Sequence, residues 1–166
     1  MCVSTVDADG RPHGRFVDLK EVRPEGFVFC TSYLSPKGLH IDERPQVCLT
    51  FWWDHVGRQV RVLGRAARIS PDEADMFFAE RSREAQLASW AYEQSRPSPS
   101  SETLAIRLAA IRERFGSGAV PRPRHWGGYL VAPGTIEFLT FSVDRDHTRI
   151  LYAWRDSHWF RSELQP

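Results

Sequence analysis

No apolar run in this 166-residue chain approaches the roughly 18–20 residues of a membrane-spanning helix, and no signal-peptide pattern is visible. Cysteine is scarce. Cys2, Cys30 and Cys48 show no C-x-x-C spacing and cannot all pair, which predicts a reducing, cytoplasmic setting with the thiols packed as small hydrophobes. The six histidines, His13, His40, His55, His125, His147 and His158, lack the close pairing that holds zinc, so no metal is expected. Net charge is only +1, which leaves no bulk field for nucleic acid or an anionic membrane. Internal repeats are absent, and Pro97–Ser101 is the one biased segment. What remains, 42% hydrophobic and 26% charged, is an ordinary globular composition that fits one domain, with or without a helical elaboration.

The pattern begins abruptly, with a strand already running through Met1–Val6. Asp7-Ala8-Asp9-Gly10 is a turn cluster, a return strand includes Gly14–Lys20, and a third strand follows at Phe27–Thr31 after Pro24-Glu25-Gly26. Short turns between them predict an antiparallel meander. Ser35 is a good N-cap and Pro36 a good first helical residue, so a short helix is expected, with Lys37 beside its exposed N–H groups. That is an anion site or an ordinary capped surface helix, with nothing local to choose between them. Strands are predicted over Gln46–Trp53 and Arg58–Arg68; Trp52 and Trp53 then face opposite sides, one toward the core and the other available to a partner subunit.

Ser70-Pro71-Asp72-Glu73 is a capping box opening a helix with Ala74, Phe77 and Phe78 on one side. A second helical piece carries Leu87, Trp90 and Ala91 and ends at Gln94-Ser95. A third has Leu104, Leu108, Ile111 and Phe115 on one stripe, with Arg107, Arg112 and Arg114 on the wet face. Strands are then expected at Tyr129–Ala132, Ile136–Ser142, Arg149–Trp154 and His158–Leu164, with turns at Pro133-Gly134 and Arg155-Asp156-Ser157. Strands, then helices, then strands read as an α+β domain whose sheet closes on itself, with helices inserted over about residues 70–116.

Chemistry concentrates near the C-terminus. Arg145, His147 and Arg149 are spaced by two, so an extended strand would line all three on one face. Two guanidiniums around an imidazole suit a small anion or an electron-rich ring. The plain alternative is a solvated strand edge whose arginines pair with Asp144 and Asp146.

Ile136-Glu137-Phe138, then Arg145-x-His147-x-Arg149, then the close Glu163-Leu164-Gln165-Pro166, resemble the C-terminal signature of the pyridoxamine/pyridoxine 5'-phosphate oxidase family. The resemblance extends from Thr5-Val6-Asp7-x-Asp9-Gly10 to the last proline. It implies a mainly antiparallel split β-barrel, a single domain over 1–166, FMN bound at a homodimer interface, and dioxygen as electron acceptor. It also implies an N-terminal lead-in segment that this chain does not display. The cofactor-binding residues it implies are Arg15, Lys20, Thr31, Ser35, Lys37, Gln59, Gln94, Ser95 and Arg149. Those implied for substrate are Lys20, Phe77, Arg81, Ala85, Arg145 and His147, with Arg145 and His147 nearest the chemistry. Arg15 and Lys20 are five apart, so strict strand alternation would separate their faces unless a bulge intervenes.

The chain also departs from the family. Pro36 replaces an arginine beside Lys37, Phe77 and Ala85 replace a tyrosine and a serine around the substrate phosphate, and Leu139 replaces a tryptophan beside the flavin. The expected activity is oxidation of pyridoxine or pyridoxamine 5'-phosphate or a close analogue. A related flavoenzyme dehydrogenating another ring compound, such as a phenazine precursor, and a non-catalytic flavin- or vitamer-binding module are the alternatives. Whether His147 takes a proton or orients a hydroxyl stays open at this level.

Overall fold

The computed structural model describes residues Met1–Pro166. Nine strands and four α-helices follow one another as β1 (Cys2–Val6), β2 (Pro12–Phe16), β3 (Glu21–Arg23), β4 (Gly26–Ser32), α1 (Pro36–Glu43), β5 (Gln46–Trp53), β6 (Arg58–Arg68), α2 (Pro71–Ala79), α3 (Arg83–Ala91), α4 (Ser101–Phe115), β7 (Trp126–Thr140), β8 (Thr148–Arg155) and β9 (His158–Leu164). The antiparallel sheet has the order β2-β1-β5-β6-β7-β4-β3, with β8 added to β7 and β9 to β8. The path runs from β2 to β3 without closing. The closure expected from the sequence is therefore replaced by an open path, one end of which is a strand of only three residues.

Two compact units divide the chain: Met1–Phe29, His40–Ala67 and Tyr129–Pro166 form one, and Cys30–Leu39 with Arg68–Gly128 form the other. The first is the larger part of the sheet. Val3, Val28, Phe29, Leu49, Val62 and Val131 are fully buried in it, each contributing roughly 1.5–3 kcal/mol by leaving water. β6 shows why the sequence chooses this layout, because Val60, Val62 and Ala66 turn inward while Arg58, Arg61 and Arg65 stay exposed. The second unit packs the helices around Phe78, Leu87, Val120 and Trp126. Its α2 starts on the expected capping box, with both reciprocal bonds between Ser70 and Glu73 present. The α4 stripe, Leu108, Ile111 and Phe115, lies against this core, while Arg112 pairs with Glu84 at 2.6 Å.

Several expectations are revised. The return strand stops at Phe16, so Lys20 lies beyond β2 and no bulge is needed to relate it to Arg15. α3 ends at Ala91, which leaves Gln94 and Ser95 in a turn where Ser95 adopts φ 66°. No turn forms at Pro133-Gly134. β7 runs straight through them, and pairing to β8 begins at Thr135, so the missing Pro133 N–H falls just outside that ladder. Neither Trp52 nor Trp53 enters the core; they are 54% and 42% exposed, with Trp52 edge-on to Phe141 at 5.3 Å.

Candidate active site

The second unit gathers five of the expected cofactor residues. β4 ends in Thr31 and Ser32, and a turn delivers Ser35 as the cap of α1, where its Oγ accepts from Gly38 N at 3.4 Å. Gly38 is required there: a Cβ would stand 2.4 Å from the Tyr33 carbonyl oxygen. Lys37 is 5% exposed, and its Nζ donates to Thr31 Oγ1 at 3.2 Å and Ser35 Oγ at 3.3 Å. Gln94 Oε1 accepts from Thr31 Oγ1 and from Ser32 N, both at 3.3 Å, which brings Ser95 to the same turn. A buried ammonium among hydroxyls and an amide, beside the first turn of a helix, suits a phosphate dianion.

Arg81 in the same unit is half-buried. Its guanidinium lies 4.8 Å from the Trp126 ring centroid and 5.8 Å from that of Phe78, and one terminal nitrogen donates to Ser89 Oγ at 2.9 Å. Its Nε and other terminal nitrogen have no protein acceptor. Burial lowers its pKa from the ordinary arginine value. Phe77 is half-buried at the edge of this core, and Ala85 lies on α3, one turn before Ser89.

In the first unit, Arg15 on β2 donates to Val3 O at 3.2 Å and Thr5 Oγ1 at 2.7 Å, and burial again lowers its pKa. Five arginines are partly buried: Arg15, Arg23, Arg81, Arg122 and Arg149. Arg23, Arg122 and Arg149 each meet a carboxylate within 3 Å, whereas Arg15 and Arg81 meet none. A desolvated guanidinium without a counter-ion is poised for an anion from outside the protein. Sequence spacing did not single out Thr5 or His40. Thr5 is 1% exposed, and its Oγ1 also meets His40 Nδ1 at 3.0 Å. The inward turn of Thr5 within a β-branched strand was the available signal.

Lys20 is exposed, with its backbone N donating to Val28 O, and Gln59 is half-buried opposite Trp52 in the β5–β6 ladder. The single face expected for Arg145, His147 and Arg149 does not form. β8 begins only at Thr148, and Arg145 sits in the preceding turn at φ 68°, so alternation does not govern the three. Arg145 is exposed. His147 Nδ1 accepts the Ser142 backbone N–H at 3.1 Å, and its ring lies 5.0 Å from Phe141. A backbone N–H can only donate, so the neutral ring carries its proton on Nε2 and offers it outward as a donor. Arg149 is committed to Glu137: Nε and one terminal nitrogen reach Oε1 at 3.0 and 2.8 Å, and the other terminal nitrogen reaches Gln165 O at 3.1 Å. One N–H on each terminal nitrogen remains for a ligand.

Glu137 is 5% exposed and also accepts from Arg61 at 2.9 Å. Losing one partner of a buried pair typically costs about 3–5 kcal/mol, and the partial exposure of Arg61 and Arg149 reduces that. Glu137→Ala is expected to lower unfolding free energy by about 2–3 kcal/mol in urea denaturation. A change indistinguishable from zero would remove Glu137 as the anchor of Arg149. An apolar pocket of about 640 Å³ also opens on this unit, lined by Cys48, Leu63 and Pro133 among others, and contains none of the expected site residues.

A family model described as pyridoxamine 5'-phosphate oxidase matches residues 1–115, and one described as pyridoxine 5'-phosphate oxidase C-terminal dimerisation region matches residues 126–166. The chain belongs to the pyridoxamine 5'-phosphate oxidase family. It is similar to the pyridoxine/pyridoxamine 5'-phosphate oxidase of Rubrobacter xylanophilus, at 46% identity over all of this chain and 76% of that one. The corresponding oxidase of Haemophilus influenzae is 43% identical over all of this chain and 79% of its own length. Among solved structures, PhzG from Burkholderia lata 383 in complex with tetrahydrophenazine-1-carboxylic acid has a TM-score of 0.93 at 29% identity, over 99% of this chain and 81% of that one. A pyridoxamine 5'-phosphate oxidase-related, FMN binding protein from Nostoc punctiforme has a TM-score of 0.78 at 20% identity, over 99% and 87%. That likeness supports the fold alone, which is the FMN-binding split barrel with inserted helices. As a member of this oxidase family, the chain is an oxidoreductase with FMN as its cofactor.

Proposed function

We propose that this chain oxidises pyridoxine 5'-phosphate and pyridoxamine 5'-phosphate to the aldehyde, passes the electrons to dioxygen, and works as a homodimer. The observation that carries the substrate class is Arg81: a half-buried guanidinium, set against Trp126 and Phe78, with no carboxylate to neutralise it. Such a group is satisfied by a phosphate monoester.

Lys37, Thr31, Ser35, Gln94 and Ser95 hold the cofactor phosphate, with the Lys37 ammonium placed among the Thr31 and Ser35 hydroxyls. Arg15, Lys20, Gln59 and Arg149 supply donors to the rest of the cofactor. When bound, FMN supplies the two-electron acceptor of the reaction. The protein contributes placement. Arg81 takes the substrate phosphate, Phe77 and Ala85 border it, and Lys20 adds cationic charge. Arg145 and His147 engage the substrate ring, with His147 Nε2–H donating to a ring oxygen while Ser142 N–H holds Nδ1. That arrangement favours orientation over proton abstraction.

The alternative reading is a tetrahydrophenazine-like substrate, the ligand in the PhzG structure. Phe77, Ala85 and Leu139 favour it because each replaces a polar or indole group with hydrocarbon. The two separate in one experiment. The FMN-loaded protein, mixed anaerobically with pyridoxine 5'-phosphate, should lose its yellow colour and regain it when air is admitted. Persistent colour with both phosphorylated vitamers, and bleaching with tetrahydrophenazine-1-carboxylic acid, would transfer the assignment to the alternative.

A further inference from the structure

We infer that Ser89, one helical turn after Ala85 on α3, is the positioning residue that aims Arg81 at the substrate phosphate. The inference rests on the assignment of Arg81 as the phosphate-binding group.

Ser89 Oγ donates to the carbonyl of Ala85, four residues back along α3, at 2.9 Å. That bond fixes the serine rotamer and uses its only proton. The lone pairs that remain accept from Arg81 at 2.9 Å. The backbone of Ser89 is held in turn, because His125 Nε2 donates to its carbonyl at 3.1 Å. The guanidinium carbon lies over the ring of Trp126, next along the chain, 4.8 Å from its centroid. Arg81 is thus clamped by a hydrogen bond at one terminal nitrogen and by an aromatic face. Its Nε and second terminal nitrogen, the pair that forms a fork for an oxyanion, are left without a protein acceptor.

The identity of the clamp matters electrostatically. A carboxylate in the place of Ser89 would orient Arg81 equally well and cancel its charge. A hydroxyl orients it and leaves the charge intact, and that charge is what a phosphate dianion needs. Ordering the long side chain before the ligand arrives also removes an entropic cost from binding.

The test is calorimetric titration of the FMN-loaded protein with pyridoxal 5'-phosphate and, separately, with pyridoxal. Ser89→Ala should weaken binding of the phosphate ester about tenfold and change pyridoxal binding by less than about twofold. Ser89→Thr keeps the hydroxyl and should restore the phosphate-ester affinity to within about twofold of the unmodified protein. The inference is overturned if Ser89→Ala binds both ligands normally, weakens both equally, or is not rescued by threonine. Arg81→Ala serves as the control on the underlying assignment. Should it bind the ester as tightly as the unmodified chain, the phosphate reading of Arg81 fails. Should it alone lose affinity while Ser89→Ala does not, only the positioning role fails.

Discussion

Lys37→Met is expected to raise the dissociation constant for FMN by about a hundredfold, because truncating one member of a buried charge pair costs about 2–5 kcal/mol. Lys37 is the buried cation of the hydroxyl and amide cluster, and methionine fills a similar volume without the charge. Thr31, Ser35 and Gln94 would keep their mutual geometry, so the loss should fall on cofactor affinity and not on folding. Quenching of flavin fluorescence during titration of the apoprotein measures it. As a surface comparison, Arg112→Ala removes only an exposed pair with Glu84 and should leave FMN binding unchanged. Equal effects of the two substitutions would mean that the phosphate site lies elsewhere.

The second large effect is expected at the C-terminal turn. Arg145→Ala and His147→Ala should each leave the protein yellow and slow anaerobic flavin reduction by about a hundredfold, the scale of a positioned proton donor or orienting group. Arg145 is exposed, and the half-buried His147 ring is held through Nδ1 by the Ser142 backbone N–H, so neither substitution opens a buried cavity. Stopped-flow absorbance at the flavin band separates the reduction rate from cofactor loss. A variant that comes off the column colourless would reassign that residue from substrate to cofactor.

The sheet was largely legible from the sequence, because β5 and β6 combine β-branched and aromatic residues with sharp turn chemistry at both ends. Their observed bounds coincide with those expected. The capping box at Ser70 was equally plain, since its residues are local and their bonds are made within one turn. The two misreadings have opposite causes, distant pairing in one and local turn chemistry in the other. Pro133-Gly134 carries turn chemistry, yet strand neighbours keep β7 extended through it. Arg145–Arg149 carries strand spacing, yet Asp144 and its neighbours make a turn with Arg145 at positive φ. The site residues were named by resemblance, and their spacing alone would not have chosen them. What no pattern held was the absence of a counter-charge at Arg15 and Arg81, because that depends on which carboxylates the fold leaves out of reach.

The Thr5–His40 bond also makes the antiparallel pair β1–β2 an acid-sensitive joint. The His40 ring lies 4.8 Å from that of His13, tilted by 51°, and His13 itself bonds Asp7 at 2.9 Å. Burial, together with the nearby His13 ring and Arg15 guanidinium, pulls the His40 pKa below its usual 6.5, while Asp7 and Glu43 oppose this only in part. The folded chain therefore binds a proton at His40 less readily than the unfolded chain does. The corresponding stability is complete above pH 6.5 and drains away as the solution is acidified through the lowered folded value. Protonation would also turn Nδ1 from an acceptor into a donor, setting a second cation against the hydroxyl that steadies Arg15. Mild acid should thus weaken the Thr5–His40 tie, read as lower protection of the β1 amides from hydrogen exchange at about pH 5 than at about pH 7.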